Sequence, residues 1–342
     1  MIVYLQPKTP FSKAVPRSDT LFGAICWSIC LLYGETELSN LLAKFQENTA
    51  PFVLSSLFPY VQNRKGEKVL FLPRPLLPPS TLELGSKEDY EKLKKSKKAK
   101  YVSEQVFNSI LDGTYEEKKD SYIIESNAVM TKNEQQGSLS EFFKQTEIAR
   151  NTINRLTNAT KLYYEPIVAI NKEQQTGFYF LVKLDPVSDK QVRPMLKAAL
   201  SFLQEKGFGG NSSVGFGQCQ VEVVDQNPIK DFKDGNQLVT LSLMFPNLKD
   251  REHLSKSRNN TYAQIERRKG FLESSYLSGR FPQVWKPTLF MLTEGSNFPC
   301  DNDRKFYGQL FEDKRAGLDF NPRINGLAYT VAIKSNQKGD KL

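Results

Sequence analysis

Hydrophobic and polar positions alternate along this chain in two rhythms, and the order in which they change predicts its architecture. Residues 2–5 form a short β run, broken by Pro7 and Pro10. Ser18 then stands where an N-cap is expected, with Asp19 in the first turn, ahead of the apolar stretch 21–32. A helix that is apolar nearly all round is expected to lie deep between a sheet and a second layer. Residues 52–54 and 69–72 read as further strands, followed by an extended proline-rich segment at 73–79. Strand patterns return at 163–170 and 178–184, separated by the turn-like residues 171–177. Between 191 and 206, Val192, Met195, Leu196, Ala199, Leu200 and Leu203 fall at helical spacing, and 219–224 alternates like a half-buried strand.

Residues from about 80 to 145 interrupt this order, being polar, charged and poorly periodic for much of their length. With them set aside as an insertion, the chain reads β-α-β-β-α-β, the ferredoxin-like (RRM-like) α+β pattern. A second unit starts after Asp234, Gly235 and Asn236. Its strands are read at 238–243, 288–292 and 326–333, its helices are weakly marked, and it is expected to be a degenerate α+β domain. The expected domains are therefore 1–235 and 236–342, which suits a chain of 342 residues. No internal repeat stands out.

The helix ending near 206 and the strand starting near 219 enclose a segment with five glycines in eleven positions: Gly207, Gly209, Gly210, Gly215 and Gly217. A dinucleotide fingerprint or a phosphate-binding P-loop needs strand, loop, helix, so that phosphate meets a helix N-terminus. Here the order is reversed, which excludes both. Glycine lets a backbone approach a ligand closely, consecutive N–H groups can cup an anion, and Asn211, Ser212 and Ser213 add short polar groups. Phe208 and Phe216 offer flat faces. A turn after a helix C-cap is the competing reading, but it needs only one or two glycines.

Composition supports an anionic partner. Lys and Arg number 47 against 38 acids, a net charge of +9. Three basic stretches contribute. Residues 92–100 hold six lysines, among them Lys94, Lys95, Lys97 and Lys98. Arg150, Asn151 and Arg155 interleave with threonines and lead to Tyr163 and Tyr164, a vocabulary suited to phosphates, base edges and stacking. The third, from Arg251 to Arg267, Arg268 and Lys269, reads as a solvated loop. Catalytic sets are missing: His253 is the only histidine, its neighbours form no known motif, and the carboxylates do not cluster as in a two-metal centre. Cys26, Cys30, Cys219 and Cys300 show no metal-ligand spacing and read as reduced thiols. The apolar run 21–33 is too short to span a bilayer and the first residues do not read as a signal peptide, so a soluble cytoplasmic protein without cofactor or metal is expected.

These residues resemble the RAMP superfamily of CRISPR-associated RNA-binding proteins, the glycine loop matching Gly-Phe-Gly-Gly-x-x-Ser-x-Gly-Phe-Gly. More narrowly, the chain looks like the Cas-five-like subunit, numbered four, of type III-A (Csm) effector complexes. Residues 17–24 resemble the segment opening the first helix, and 72–75 an extended Leu-Pro-Lys/Arg-Pro element. Residues 92–101 resemble a basic linker, residues 149–152 open a thumb-like hairpin at about 147–165, and 327–331 resemble the closing strand. Residues 245–315 have no anchored match. The resemblance implies a non-catalytic cap that holds the repeat-derived 5′ tag of the crRNA, contacts the large polymerase-like subunit and adjoins the first backbone RAMP subunit. It implies that Gly209, Gly210, Ser212 and Ser213, with the rest of that loop, cradle tag phosphates. Arg17 and Ser18 would form an anion site at a helix N-terminus, and Arg150, Asn151 and Arg155 a thumb on the guide–target duplex. A RAMP endoribonuclease and the cap of another type III system remain as alternatives.

Overall fold

The computed structural model describes residues 1–46, 49–62, 66–78, 87–115, 122–135, 139, 141–171, 173, 175–232, 235–272, 285–301, 303–314 and 321–334. Parts of three sequence expectations lie outside these residues: the insertion at 79–86 and 116–121, the domain boundary at Asp234, and the unmatched region at 273–284.

The chain opens with β1 (Ile2–Pro7) and the short β2 (Phe11–Ser12), then enters α1 (Ser18–Tyr33) and α2 (Glu35–Gln46). Two strands follow, β3 (Phe52–Leu54) and β4 (Phe58–Gln62), which both pair with β11 (Thr176–Leu184). Their registers differ by one residue, Leu54 facing Val182 but Phe58 facing Tyr179, so a bulge lies at residues 55–57. After β11 come α5 (Asp189–Lys206) and, beyond the glycine loop, β12 (Cys219–Val224). In space the core order is β12-β1-β11-β4, every neighbouring pair antiparallel. The chain thus runs β-α-β-β-α-β as its rhythms predict. Leu21, Phe22, Ile25 and Ile29 of α1 and Val192, Leu196, Leu200 and Leu203 of α5 are buried against the sheet. At the end of α1, Leu31, Leu32 and Tyr33 are exposed, so this helix is deeply packed only over its first three turns.

Helix α1 also starts differently from the expectation. Arg17, in extended conformation, is its N-cap, and Ser18 is the first helical residue. The Ser18 hydroxyl, fully buried, instead accepts the Leu243 N–H at 3.0 Å. A capping serine would face solvent-side amides; this one stitches the helix to the second unit.

The described residues of the insertion form helices, and strands that extend the sheet. Strand β5 (Lys68–Pro73) pairs with β6 (Tyr101–Ser103), which runs parallel to β8 (Ala128–Thr131), and β7 (Tyr122–Glu125) closes that edge. Helix α3 (Lys87–Lys98) precedes β6, and α4 (Glu104–Leu111) buries Val106, Phe107, Ile110 and Leu111 beneath it. The polar average of 80–145 concealed this apolar helix of eight residues.

Residues 163–170 are a strand, as their pattern predicts, but lie outside the central sheet. They are the second half of β10 (Thr160–Ile170), which pairs over eleven residues with β9 (Phe143–Ile153) in a hairpin sheet completed by β2. At 3.3 Å per residue this arm is about 35 Å long.

The second unit contains β13 (Gln237–Thr240), α6 (Leu248–Lys256), β14 (Ile265–Arg268), β15 (Leu289–Leu292), β16 (Asn297–Pro299), β17 (Leu310–Glu312), β18 (Arg323–Asn325) and β19 (Thr330–Ile333). Strand β13 lies between β16 and β19, while β14–β15 and β17–β18 are two-stranded ribbons. The third basic stretch is therefore a helix and a strand, not one loop. Val239, Leu241, Leu327, Tyr329, Val331 and Ile333 join the same continuous core as Ile2, Leu5 and Ile29, so apolar packing crosses residue 235 without a break.

Candidate nucleic-acid interface

The glycine loop begins where α5 must stop. Gly207 has φ +95° and donates its N–H to Leu203 at 2.8 Å. The loop is then pinned at its neck: Phe208 N–H donates to the Gly217 carbonyl, and Gly217 N–H to the Pro10 carbonyl, both at 2.8 Å. A Cβ on Gly217 would lie 1.9 Å from the Phe208 carbonyl oxygen, and one on Gly207 2.7 Å from that of Phe216. These two glycines close the loop. Phe208 and Phe216 are buried, so they anchor it to the core and offer no face to a base, contrary to the expectation from sequence.

Between the pinned ends the backbone is presented outward. Gly210, Asn211, Ser213 and Val214 are exposed, Asn211 adopts φ +57°, and Ser212–Val214 make one 3-10 turn before Gly215 at φ +91°. Among the described residues, the consecutive N–H groups of Gly209, Gly210 and Asn211 donate to no protein acceptor. Gly210 is the open position, its nearest potential neighbour being Ser12 Oγ at 3.9 Å from a built Cβ.

The loop is fastened to the base of the β9–β10 arm. Asn211 donates through Nδ2 to Ser12 Oγ at 3.1 Å and to Glu165. Glu165, buried on β10, pairs at 2.7 Å with Arg150 of β9, whose guanidinium lies 4.9 Å from the Phe216 ring centroid. Arg150 is thus engaged by a carboxylate and a ring, and it braces the arm against the loop instead of standing free for a phosphate. Glu165 and Ser12 were not foreseen; the only signal was a lone acid among Leu162, Tyr163, Tyr164, Ile167 and Val168.

Beyond Glu165 the arm is bare. Asn151 and Arg155 are exposed, and at the tip the Asn154 side chain accepts the Leu156 N–H at 2.9 Å, holding Leu156 94% exposed. Ile153, Leu162 and Tyr164 are exposed as well, and cross-strand register puts all three on one face of the arm, opposite Arg150.

Arg17 is placed beside the loop but is not available as an anion site. Its guanidinium is held by both carboxylate oxygens of Glu294 and by Glu266 at 2.6 Å, and Glu294 also accepts from Ser56 in the bulge. Burial alone would lower the Arg17 pKa; the two carboxylates outweigh it and hold the group above the ordinary arginine value. With Ser18 buried, the predicted anion pair is a clamp between the two units. Lys94, Lys95, Lys97 and Lys98 are exposed on α3, whose last turn is tied down by Arg74 donating to Ser96 Oγ at 2.8 Å.

His253 lies on α6, its Nε2 2.9 Å from the Pro299 carbonyl oxygen, to which that nitrogen donates. His253→Ala is expected to cost about 1 kcal/mol of stability in a urea titration and to leave RNA binding unchanged. Specific cleavage of repeat RNA by the wild-type chain, lost in the variant, would restore a nuclease reading. Among the described residues no group of three His, Cys, Asp or Glu side chains is placed to hold a metal, and no helix is long and apolar enough to cross a membrane. Burial pushes the Cys219 thiol up to about 12 and Cys26 higher, so neither is a ready nucleophile.

No protein-family model matches the chain. A curated protein of Thermococcus onnurineus (strain NA1), described as the CRISPR system protein Csm4, is 28% identical over 250 residues, which cover 71% of this chain and 74% of that protein. The fold is similar to that of a solved Csm3–Csm4 subcomplex of the type III-A interference complex. That match has a TM-score of 0.63 and 19% identity, over 98% of this chain and 99% of that one. It is also similar to a Csm1–Csm4 cassette in complex with pppApA, with TM-score 0.59 and 20% identity over 98% of each chain.

Proposed function

We propose that this chain, a Csm4-like protein of the RAMP superfamily, is the crRNA-capping subunit of a type III-A effector complex, holding the 5′ tag and linking the large polymerase-like subunit to the backbone RAMP subunits in antiviral defence. The curated relative carries the subunit's name, and the structural neighbours pair it with Csm1 in one case and Csm3 in the other, which supports both protein partners. On this reading the chain is a cytoplasmic protein and not an enzyme. Its architecture is two ferredoxin-like units, 1–235 with the insertion at about 80–145 and a thumb at about 147–165, and a degenerate 236–342.

One observation carries the RNA site: three consecutive unpaired N–H groups, Gly209 to Asn211, presented by a loop braced to a long exposed arm. Backbone N–H groups in series are a phosphate cradle, and their glycines let the chain come close. The exposed Ser213 and half-buried Ser212 supply hydroxyls, and the lysines of α3 add long-range attraction. At the arm's tip Leu156 has the shape of a wedge, with Arg155 and Lys161 for flanking phosphates, so the tip enters the guide–target duplex and displaces a base while Arg150 holds the arm's root.

Gly210→Val tests the cradle with little structural cost, because Gly210 has open space around it. Expected is a loss of crRNA affinity of about tenfold or more by fluorescence anisotropy, with unchanged circular dichroism. A folded Gly210→Val protein that binds tagged crRNA like wild type removes the loop from the interface.

A further inference from the structure

The ribbon β14–β15 carries charge on both faces, and the two faces treat it differently. Inward, Glu266 pairs with Arg17, and Arg268 with Asp19 at 3.0 Å, above the buried Leu289 and Met291. Outward, Arg267 has no carboxylate partner among the described residues. Directly opposite it in the register stands Phe290, 62% exposed, with Ile265 exposed two residues away. The outward row continues to Lys269, whose ammonium lies 4.7 Å from the centroid of the exposed Trp285 ring, which rests against Phe271. Cations and rings alternate here. Glu266 and Arg268 are paired on the inner face, whereas Arg267 and Lys269 have no carboxylate partner among the described residues.

We propose that the outer face of β14–β15 is a second nucleic-acid site, a stacking platform for single-stranded RNA. A base stacks on Phe290 while Arg267 and Lys269 meet the phosphates beside it. Single-stranded RNA fits better than a duplex, because a ring can stack only on a base freed from its helix. Position supports the same occupant. The ribbon's inner face is bound through Glu266 to Arg17, whose neighbour Pro16 lies 3.2 Å from a Cβ built on Gly209, so the ribbon and the glycine loop belong to one contiguous region. The proposal rests on the reading of that loop as an RNA cradle, and extends it to a surface the sequence marked only as a basic stretch.

The test uses the full-length chain with Arg267→Gln and Phe290→Leu combined, substitutions on exposed side chains that keep an apolar residue at 290. Two probes are titrated by anisotropy over a range of salt: a guide RNA bearing the 5′ tag, and an untagged oligouridylate. Expected is a loss of about tenfold or more, with a log–log salt slope shallower by about 0.7 for the lost cation. Loss for both probes assigns the platform to any single strand reaching it; loss for the tagged guide alone assigns it to the guide's own 5′ end. Unchanged binding of both probes overturns the proposal, as does a variant that keeps its RNA affinity but fails to assemble with the large subunit, which would make the face a protein dock. Gly210→Val, run alongside, separates the two readings: binding lost there and kept in the ribbon variant condemns the platform alone.

Discussion

Gly217→Ala is expected to destabilise the protein by more than about 3 kcal/mol, although it adds a single methyl group. At φ +68° an alanine is already strained, and its Cβ would have to occupy a point 1.9 Å from the Phe208 carbonyl oxygen. That oxygen cannot swing aside cheaply, because Phe208 is buried and its N–H is bound to Gly217 itself. Relief requires the neck to open, which drags Phe208 and Phe216 out of the core and separates the loop from Pro10. The measurement is a urea midpoint for Gly217→Ala beside Gly210→Ala, the latter expected within about 0.5 kcal/mol of wild type. Equal midpoints for the two variants would mean that the neck is not closed as described.

Asp250→Ala is expected to cost about 3–5 kcal/mol, from a residue in the region where sequence offers no anchor. Asp250 is fully buried, pairs with Arg304 at 2.7 Å, and accepts the N–H groups of Asn247 at 2.8 Å and Gly308 at 2.9 Å. The Asn247 side chain accepts the Asp250 N–H in return, so the residue also closes the capping box of α6. Removing it leaves a nearly buried guanidinium and two amides without partners at once. Asp250→Asn with Arg304→Met, which removes both charges and keeps an oxygen acceptor, is expected to recover part of the loss in calorimetric Tm. A double variant no more stable than Asp250→Ala would show that the charge pair is not the source.

What was legible in the sequence followed from local periodicity. The β-α-β-β-α-β order, the ends of α5 and the glycine segment between α5 and β12 all depend on residues near one another in the chain. Failures came where a distant partner decides. Residues 163–170 have strand character, but nothing local says that they pair with 143–150 and not with the central sheet. Arg17 and Arg150 read as free cations until Glu294 and Glu165 arrive from 277 and 15 residues away. Phe208 and Phe216 sit among glycines, where a ring reads as exposed, yet the pinned neck turns both inward. The same neck explains why five glycines are needed: two close the loop, and the others present it.

The central place of β1 bears on how the protein is made. This strand is synthesised long before its partners: Ile2 pairs on one side with Leu181 and on the other with Val224. At a synthesis rate of about 5–20 residues per second, the earlier of these partners emerges roughly ten seconds or more after β1. During that time both edges of an apolar strand are open, and no truncated nascent chain ending before β11 can complete the sheet. The central sheet therefore closes late, once β11, α5 and β12 have all been released.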